Sequence, residues 1–197
     1  KPTHRVTPYD LALLTRALIN DFPQYYHWYK QKWITYNKIR QPNRNRLLWR
    51  DPSVDGVKTG HTQAAGYCLI ASGERRGMRL ISVVMGTPSD AARSNDSQAL
   101  LNWGFRFFES HRLFSANTPI VKPRVWLAEE KHVSLGLKKD LYVTIPSGEY
   151  AALKATLQVH SILKAPIVRG STYGTLQITL HGKSVTQAPL IALNNDP

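Results

Sequence analysis

The sequence predicts an α+β domain followed by a small all-β domain of the sandwich type. Helix signals and apolar strands alternate over residues 1–113, whereas prolines separate short runs of alternating apolar and polar residues over 114–197. The length of 197 residues suits one large domain or two small ones. We therefore expect two domains with a boundary near residues 113–118, and we expect residues 119–192 to be almost entirely strand.

The first helix is predicted to begin directly after Thr7. This threonine can cap the helix, Pro8 fits the first helical position, and Asp10 places a carboxylate in the first turn. Leucines then recur at helical spacing until about Asn20. The sequence therefore predicts a helix over about residues 8–20.

Three strands are predicted next. Trp33–Tyr36 is a short strand-like run, and the β-rich runs Gly66–Ser72 and Arg79–Met85 are joined by a glycine-containing turn. This pattern is typical of a hairpin with buried strands. We expect residues 57–72 and 79–85 to form adjacent antiparallel strands.

A second helix is predicted from Ser89 to Glu109. Leu100, Trp103 and Phe107 recur on one of its faces. We expect this helix to pack on the hairpin, which makes the first domain a mixture of helices and strands.

The composition excludes several classes of protein. With 42% apolar and 20% charged residues, the chain is not collagen-like, low-complexity or mostly disordered. Its longest apolar runs, such as Leu80–Met85, are far shorter than the roughly 20 residues of a membrane span. The net charge of +13, spread along the chain, predicts attraction to polyanions such as nucleic acid, anionic lipid or cell-wall polymers. A basic surface that is merely solvated is the alternative interpretation of the charge.

The triplet Lys58-Thr59-Gly60 is the motif most informative about chemistry. It leads into the predicted hairpin, so that a cation and a hydroxyl would flank a peptide laid along a strand edge. Gly60 removes the side chain where such a peptide must approach closely. Serine acyl-transfer enzymes of the penicillin-binding and β-lactamase class use this triplet as one of three signatures. A turn at the end of a strand is the alternative interpretation.

Further segments resemble one family, in that family's order. They span essentially the whole chain: Asn43–Asn45, Leu47–Trp49, Val54–Thr62, Ala65–Tyr67, Met78–Gly86, Leu101–Glu109, Ser134–Gly136, Tyr142–Pro146 and Leu153–Ala155. Together they resemble the low-molecular-weight penicillin-binding proteins of the type 5 and 6 class, the serine D-alanyl-D-alanine carboxypeptidases of the peptidase S11 type. The resemblance implies that residues 1–113 are the C-terminal part of a penicillin-binding, transpeptidase-like domain and that residues 114–197 are the family's β-rich C-terminal domain.

The resemblance also implies roles for five residues. Lys58 would supply positive charge beside the catalytic site and attract the substrate carboxylate, and Thr59 would donate its hydroxyl to that carboxylate. The strand around Gly60 and His61 would pair with the substrate backbone, and the His61 amide would be one oxyanion donor. Arg93 would face the terminal carboxylate of the substrate.

The nucleophile of this family is expected on an N-terminal segment that this chain lacks. The family's Ser-x-x-Lys and Ser-x-Asn motifs precede Lys-Thr-Gly, whereas the strings Ser161–Lys164 and Ser115–Asn117 follow it, in reversed order. In the family, the serine attacks the bond between the two terminal D-alanines of a peptidoglycan stem peptide, and β-lactams are trapped at the acyl-enzyme stage. We therefore expect this chain alone to be inactive.

Partners and location follow from the same resemblance. It implies a periplasmic protein that acts on peptidoglycan stem peptides, binds β-lactams, needs no cofactor and lies at the inner membrane through a helix absent after Pro197.

The seven histidines show no metal-ligand spacing, so no metal site is expected. No nucleic-acid module surrounds the basic stretch Lys38–Arg46, so no nucleic-acid partner is expected. The alternative function is a non-catalytic envelope module that binds peptidoglycan or another anionic polymer.

Overall fold

The computed structural model describes residues 5–197 and divides the chain into two compact units. The first unit ends at Phe107 and the second begins at Phe108. The sequence prediction placed the boundary later, at residues 113–118. The difference is the strand Phe108–Phe114, which pairs with Leu141–Pro146 and so lies in the second unit. Within the described residues, no helix is both long and apolar enough to cross a membrane.

In its described residues, the first unit contains a three-stranded antiparallel sheet, four α-helices, one 3₁₀ helix and a separate hairpin. Its elements are α1 (Pro8–Asp21), α2 (Pro23–Tyr26), a 3₁₀ helix (His27–Lys30), β1 (Trp33–Tyr36), β2 (Ile39–Pro42), α3 (Leu47–Arg50), β3 (Val54–Thr62), β4 (Gly66–Arg75), β5 (Met78–Thr87) and α4 (Asp90–Phe107). The sheet has the order β3-β4-β5, and β1 pairs with β2. The predicted hairpin is therefore present as β4 and β5, with both strands longer than the sequence indicated.

Helix α1 begins as the sequence predicts. The Thr7 hydroxyl accepts a hydrogen bond from the Asp10 amide at 3.1 Å, and the Thr7 amide donates to the Asp10 carboxylate at 3.1 Å. This reciprocal capping satisfies N–H groups that have no partner within the helix. The hydrogen bonds from Thr7 lower the pKa of the Asp10 carboxyl.

Helix α4 buries a different face from the one that its large apolar residues mark. Leu100, Trp103 and Phe107 are 49%, 56% and 47% exposed in the described structure. The buried face combines small and polar residues with a leucine: Arg93, Ser94, Ser97, Leu101 and Gly104. A Cβ atom on Gly104 would lie 2.5 Å from Leu80 Cδ1, so this face lets the helix approach the sheet closely.

The core of the first unit includes residues of α3, α4 and the sheet. Its buried members are Leu47, Leu48, Val54, Leu69, Ala71 and Leu101. Val54 is the first residue of β3. The strand that contains Lys58 is therefore anchored in the core at its N-terminal end.

A buried carboxylate joins the same elements. Asp51 is 6% exposed and accepts hydrogen bonds from the Ser53 amide at 2.9 Å, Gln98 Nε2 at 2.8 Å and Arg75 Nη2 at 2.6 Å. Burial by itself would raise the pKa of Asp51, but the donors from Ser53, Gln98 and Arg75 outweigh it and lower the pKa to about 2.

We expect Asp51 to make the first unit sensitive to acid. Because the pKa of Asp51 in the folded state, about 2, lies below the ordinary aspartate value of 3.8, its stabilisation is present above about pH 4 and is lost as the pH falls towards 2. The contribution of Asp51 to the free energy of unfolding is about 1–2 kcal/mol once solvent screening is allowed for. Urea unfolding of the wild type and of Asp51→Asn across this pH range measures it. The difference in the free energy of unfolding between the two proteins should become smaller as the pH falls. A difference that does not change with pH would contradict the prediction.

The second unit is all-β apart from one short 3₁₀ helix, which confirms the predicted class. Its strands are β6 (Phe108–Phe114), β7 (Val125–Trp126), β8 (Leu135–Gly136), β9 (Leu141–Pro146), β10 (Leu153–Val159), β11 (Leu163–Lys164), β12 (Thr172–Leu180) and β13 (Lys183–Ala192). A four-stranded sheet has the order β10-β12-β13-β8, and β6-β9 and β11-β7 form smaller sheets. Residues 119–192 are less uniformly extended than predicted, because loops that include Pro119, Pro123 and Pro166 interrupt the strands.

Candidate active site

Strand β3 places the predicted site residues side by side. Residues 58–61 pair with residues 67–70 of β4 in antiparallel register. Lys58, Gly60 and His61 are exposed. Within the three-stranded sheet of the described structure, β3 pairs on one side with β4 and has no strand on its other side. Its free edge can therefore receive an extended peptide.

Residues 41–49 supply the second side of the site. Asn45, which is 2% exposed, ties this segment to β3 because its Nδ2 donates to the Gly56 carbonyl at 2.8 Å. The Asn45 Oδ1 atom accepts from the Leu47 amide at 3.2 Å, which fixes the start of α3. The position of the second segment is thus coupled to the strand that contains Lys58.

The two segments line one cleft of about 760 Å³. The side chains and backbone that line it include residues 58–61, Arg44, Arg46, Trp49, Tyr67, Asp90 and Arg93. Four of the lining side chains are lysine or arginine, and a single one is a carboxylate among the residues that the structure describes. The cleft therefore favours an anionic ligand.

Lys58 and His61 present different groups to this cleft. The Lys58 ammonium donates to the Thr59 carbonyl at 2.5 Å and is otherwise exposed. The His61 ring stacks on the Tyr67 ring with centroids 3.9 Å apart. The stacking holds the imidazole against β4, which is compatible with a role for the His61 backbone amide.

Arg93 is held tightly by its surroundings and is 4% exposed. Its Nη1 donates to the Gly60 carbonyl at 3.0 Å and to the Cys68 carbonyl at 3.4 Å, and its Nη2 pairs with Asp90. The guanidinium also lies 5.4 Å from the centre of the Tyr67 ring. Its Nε is buried without a hydrogen-bond partner among the described residues. Arg93 thus links α4 to β3 and β4 at the wall of the cleft.

A second polar network supports the beginning of β3. Asp55 accepts from the Tyr26 hydroxyl at 2.8 Å and from both terminal nitrogens of Arg79, at 2.9 Å and 2.8 Å. Burial of the Tyr26 ring raises the pKa of its hydroxyl, and the neighbouring Asp55 carboxylate adds to this rise. The phenol therefore stays protonated and continues to donate to Asp55.

All five residues that the sequence singled out line the same cleft, and the structure adds others. Arg44 and Arg46 lie in the basic stretch that the sequence analysis weighed for nucleic acid, and Arg44 also lies in the family-like segment Asn43–Asn45, but neither arginine was given a role at the site. The alternation of these arginines with Asn43 and Asn45 is the sequence feature that could have indicated their place at the site. Asp90 was not singled out, because its local partner Arg93 gives no hint of Arg46, which only the fold brings to it.

The displaced Ser-x-x-Lys and Ser-x-Asn strings lie in the second unit. Lys164 belongs to the short strand β11, which pairs with β7, and no hydrogen bond joins it to Ser161 in the described structure. Across residues 5–197, no three His, Cys, Asp or Glu side chains come together in a way that could hold a metal ion. His4, one of the seven histidines considered, lies outside the described residues.

Two family models together match most of the chain. Residues 1–89 match the family described as D-alanyl-D-alanine carboxypeptidase, and residues 108–197 match the C-terminal domain of penicillin-binding protein 5. Both matches agree with the resemblance drawn from the sequence segments.

Individual relatives agree with these matches. The chain is 48% identical over 191 residues to D-alanyl-D-alanine carboxypeptidase DacC of Escherichia coli, covering 96% of the chain and 48% of that protein. It is 45% identical to DacA of the same organism, covering 95% of the chain and 47% of that protein. The chain therefore spans about half the length of these curated relatives.

A solved structure extends the comparison to the fold. Penicillin-binding protein 5 from Haemophilus influenzae superimposes on the whole chain with a TM-score of 0.90 at 40% identity, and the chain covers 58% of that structure. Sequence and fold thus point to the same proteins over both units. The chain belongs to the family of D-alanyl-D-alanine carboxypeptidases that possess the C-terminal domain of penicillin-binding protein 5.

Proposed function

We propose that the chain contributes the Lys-Thr-Gly side of the substrate cleft in a serine-type D-alanyl-D-alanine carboxypeptidase. The observation that supports this most directly is the position of residues 58–61 on a free strand edge, beside a cleft rich in cations. A peptide that ends in D-alanyl-D-alanine would add to this edge, with its terminal carboxylate near Lys58 and Thr59.

The proposed reaction removes the terminal D-alanine of a peptidoglycan stem peptide through an acyl-enzyme. A serine attacks the peptide carbonyl, the D-alanine amine leaves, and water hydrolyses the ester. The developing oxyanion would be stabilised by the His61 amide, and a second donor would come from the nucleophile's own backbone. β-Lactams would occupy the same cleft and stop at the acyl stage.

Arg93 has a double role in this proposal. Its two Nη atoms hold the Gly60 and Cys68 carbonyls and Asp90, so it orients the strand edge. Nη2 has a second N–H beyond the one that Asp90 accepts, and we propose that this group faces the terminal carboxylate of the substrate. Removing Arg93 would therefore weaken binding partly by loosening β3.

The serine and its lysine base are proposed to lie on an N-terminal segment outside this chain, since the curated relatives are about twice as long. We also propose action in the bacterial periplasm, at the surface of the inner membrane. That attachment would use an amphipathic helix that follows the second unit in the whole protein.

We expect Gly60→Ala to separate folding from binding. In the structure, a Cβ on Gly60 meets one atom within 4 Å, Cys68 Cβ at 3.8 Å, which is an ordinary contact. The free energy of unfolding should therefore change by less than about 0.5 kcal/mol. A peptide on the strand edge would meet the new methyl group, and such overpacking costs about 1–3 kcal/mol, or roughly tenfold in affinity.

The measurement is a nuclear magnetic resonance titration of the chain with a peptide that ends in D-alanyl-D-alanine. Gly56→Ala, in the same strand, is the contrasting variant, because its Cβ would lie 2.6 Å from the Tyr26 hydroxyl. It should lower the stability instead. Unchanged peptide affinity in Gly60→Ala would argue against binding along β3.

A further inference from the structure

The cleft contains more positive charge than one terminal carboxylate needs. Lys58 on β3, Arg44 and Arg46 on the second segment, and the mostly buried Arg93 of α4 all line it. Asp90 is the single carboxylate among the described residues that line the cleft. If Lys58 and Thr59 take the terminal carboxylate, the cations of the second segment remain for a second anionic group.

Asp90 uses its two oxygens to hold two arginines in different ways. Oδ1 pairs with Nη2 of Arg93, whose side chain is 5% exposed, and Oδ2 pairs with Nε of Arg46, whose side chain is 58% exposed. The pairing uses the inner nitrogen of the Arg46 guanidinium and leaves more than half of the side chain open. Arg46 is therefore oriented by Asp90 without being buried by it.

The backbone at Arg46 is also fixed. The preceding residue, Asn45, is buried and donates to the Gly56 carbonyl of β3 at 2.8 Å, and the following residue, Leu47, is fully buried. An arginine fixed at both neighbours and at Nε loses less conformational freedom on binding than a free surface arginine. Such preorganisation favours selective recognition.

We infer that Arg46, positioned by Asp90, binds a second carboxylate of an acidic peptide substrate and so determines substrate specificity. This inference rests on the proposed function of the cleft, and it adds the class of peptide that the cleft prefers. A guanidinium suits the role because its planar N–H groups match both oxygens of a carboxylate.

The test compares two peptides on the 197-residue chain. Both end in D-alanyl-D-alanine, and they differ in one upstream residue, which is glutamate in one and glutamine in the other. Titration at a fixed ionic strength should show the glutamate peptide binding about tenfold more tightly. Arg46→Ala should remove this difference, and Arg16→Ala, which deletes an exposed arginine of α1 outside the cleft lining, should retain it.

The outcomes distinguish the inference from the proposal beneath it. Equal affinity of the two peptides for the wild type, or a preference that persists in Arg46→Ala, overturns the role of Arg46 and leaves the proposed cleft standing. If neither peptide shows binding that depends on Lys58, both the role of Arg46 and the proposed function of the cleft are overturned. Asp90→Asn retains Arg46 but removes its partner, so an undiminished preference in that variant would contradict positioning by Asp90. Thermal unfolding of each variant confirms that the compared proteins are folded.

Discussion

Incubation of the 197-residue chain with a labelled penicillin should give no covalent adduct. Acylation needs a hydroxyl nucleophile within hydrogen-bond reach of an activating base. In the described structure, the cleft is lined by Lys58, Thr59 and His61 but contains no serine paired with a base. Ser161 and Lys164 lie in the second unit and are not hydrogen-bonded to each other.

Mass spectrometry of the intact chain measures this result. Supplying a segment that contains the Ser-x-x-Lys and Ser-x-Asn motifs, joined to the chain or as a separate polypeptide, should restore the adduct. The same mixture should release D-alanine from a stem-peptide mimic. An adduct on the isolated chain would place the nucleophile within residues 1–197, and a peptide map would identify the residue.

The second large effect is a slower acylation by penicillin, expected for Lys58→Ala in the chain supplied with the segment that contains the Ser-x-x-Lys and Ser-x-Asn motifs. Lys58 is exposed, so its removal should change the free energy of unfolding by less than about 0.5 kcal/mol. Acylation by a penicillin should nevertheless slow by about 10²–10⁴-fold, the range typical of a lost group in proton transfer. The physical reason is that Lys58 is proposed to place its positive charge beside the substrate carboxylate and beside the proton network of the nucleophile.

Lys30→Ala is the matched control for this prediction. Lys30 is an exposed lysine at the end of the 3₁₀ helix and does not line the cleft. Both variants replace one lysine by alanine, so they have the same net charge. Stopped-flow acylation rates of both variants separate the local role of Lys58 from the general effect of charge. Equal rates in the two variants would show that Lys58 has no special role.

Local signals explain which parts of the fold could be predicted. The start of α1 was predictable because its capping box involves residues three apart, Thr7 and Asp10. The buried face of α4 was not, because it contains small residues such as Gly104, which approaches Leu80 of a strand that precedes the helix. The domain boundary was missed for a similar reason: β6 has its partner strand, β9, about thirty residues away.

The amino-acid sequence alone determined the family, the β-rich second domain and the line of residues from Lys58 to His61, because these are encoded in contiguous motifs. Tertiary structure alone decided what surrounds that line. In the folded protein, Arg93 Nη1 donates to the Gly60 carbonyl, and Asp90 forms ion pairs with both Arg46 and Arg93. Asp90 and Arg93 are three residues apart in α4, but Arg46 lies far from Asp90 in the chain and Gly60 lies far from Arg93. These distant contacts depend on atomic positions that only the tertiary packing of α4 creates.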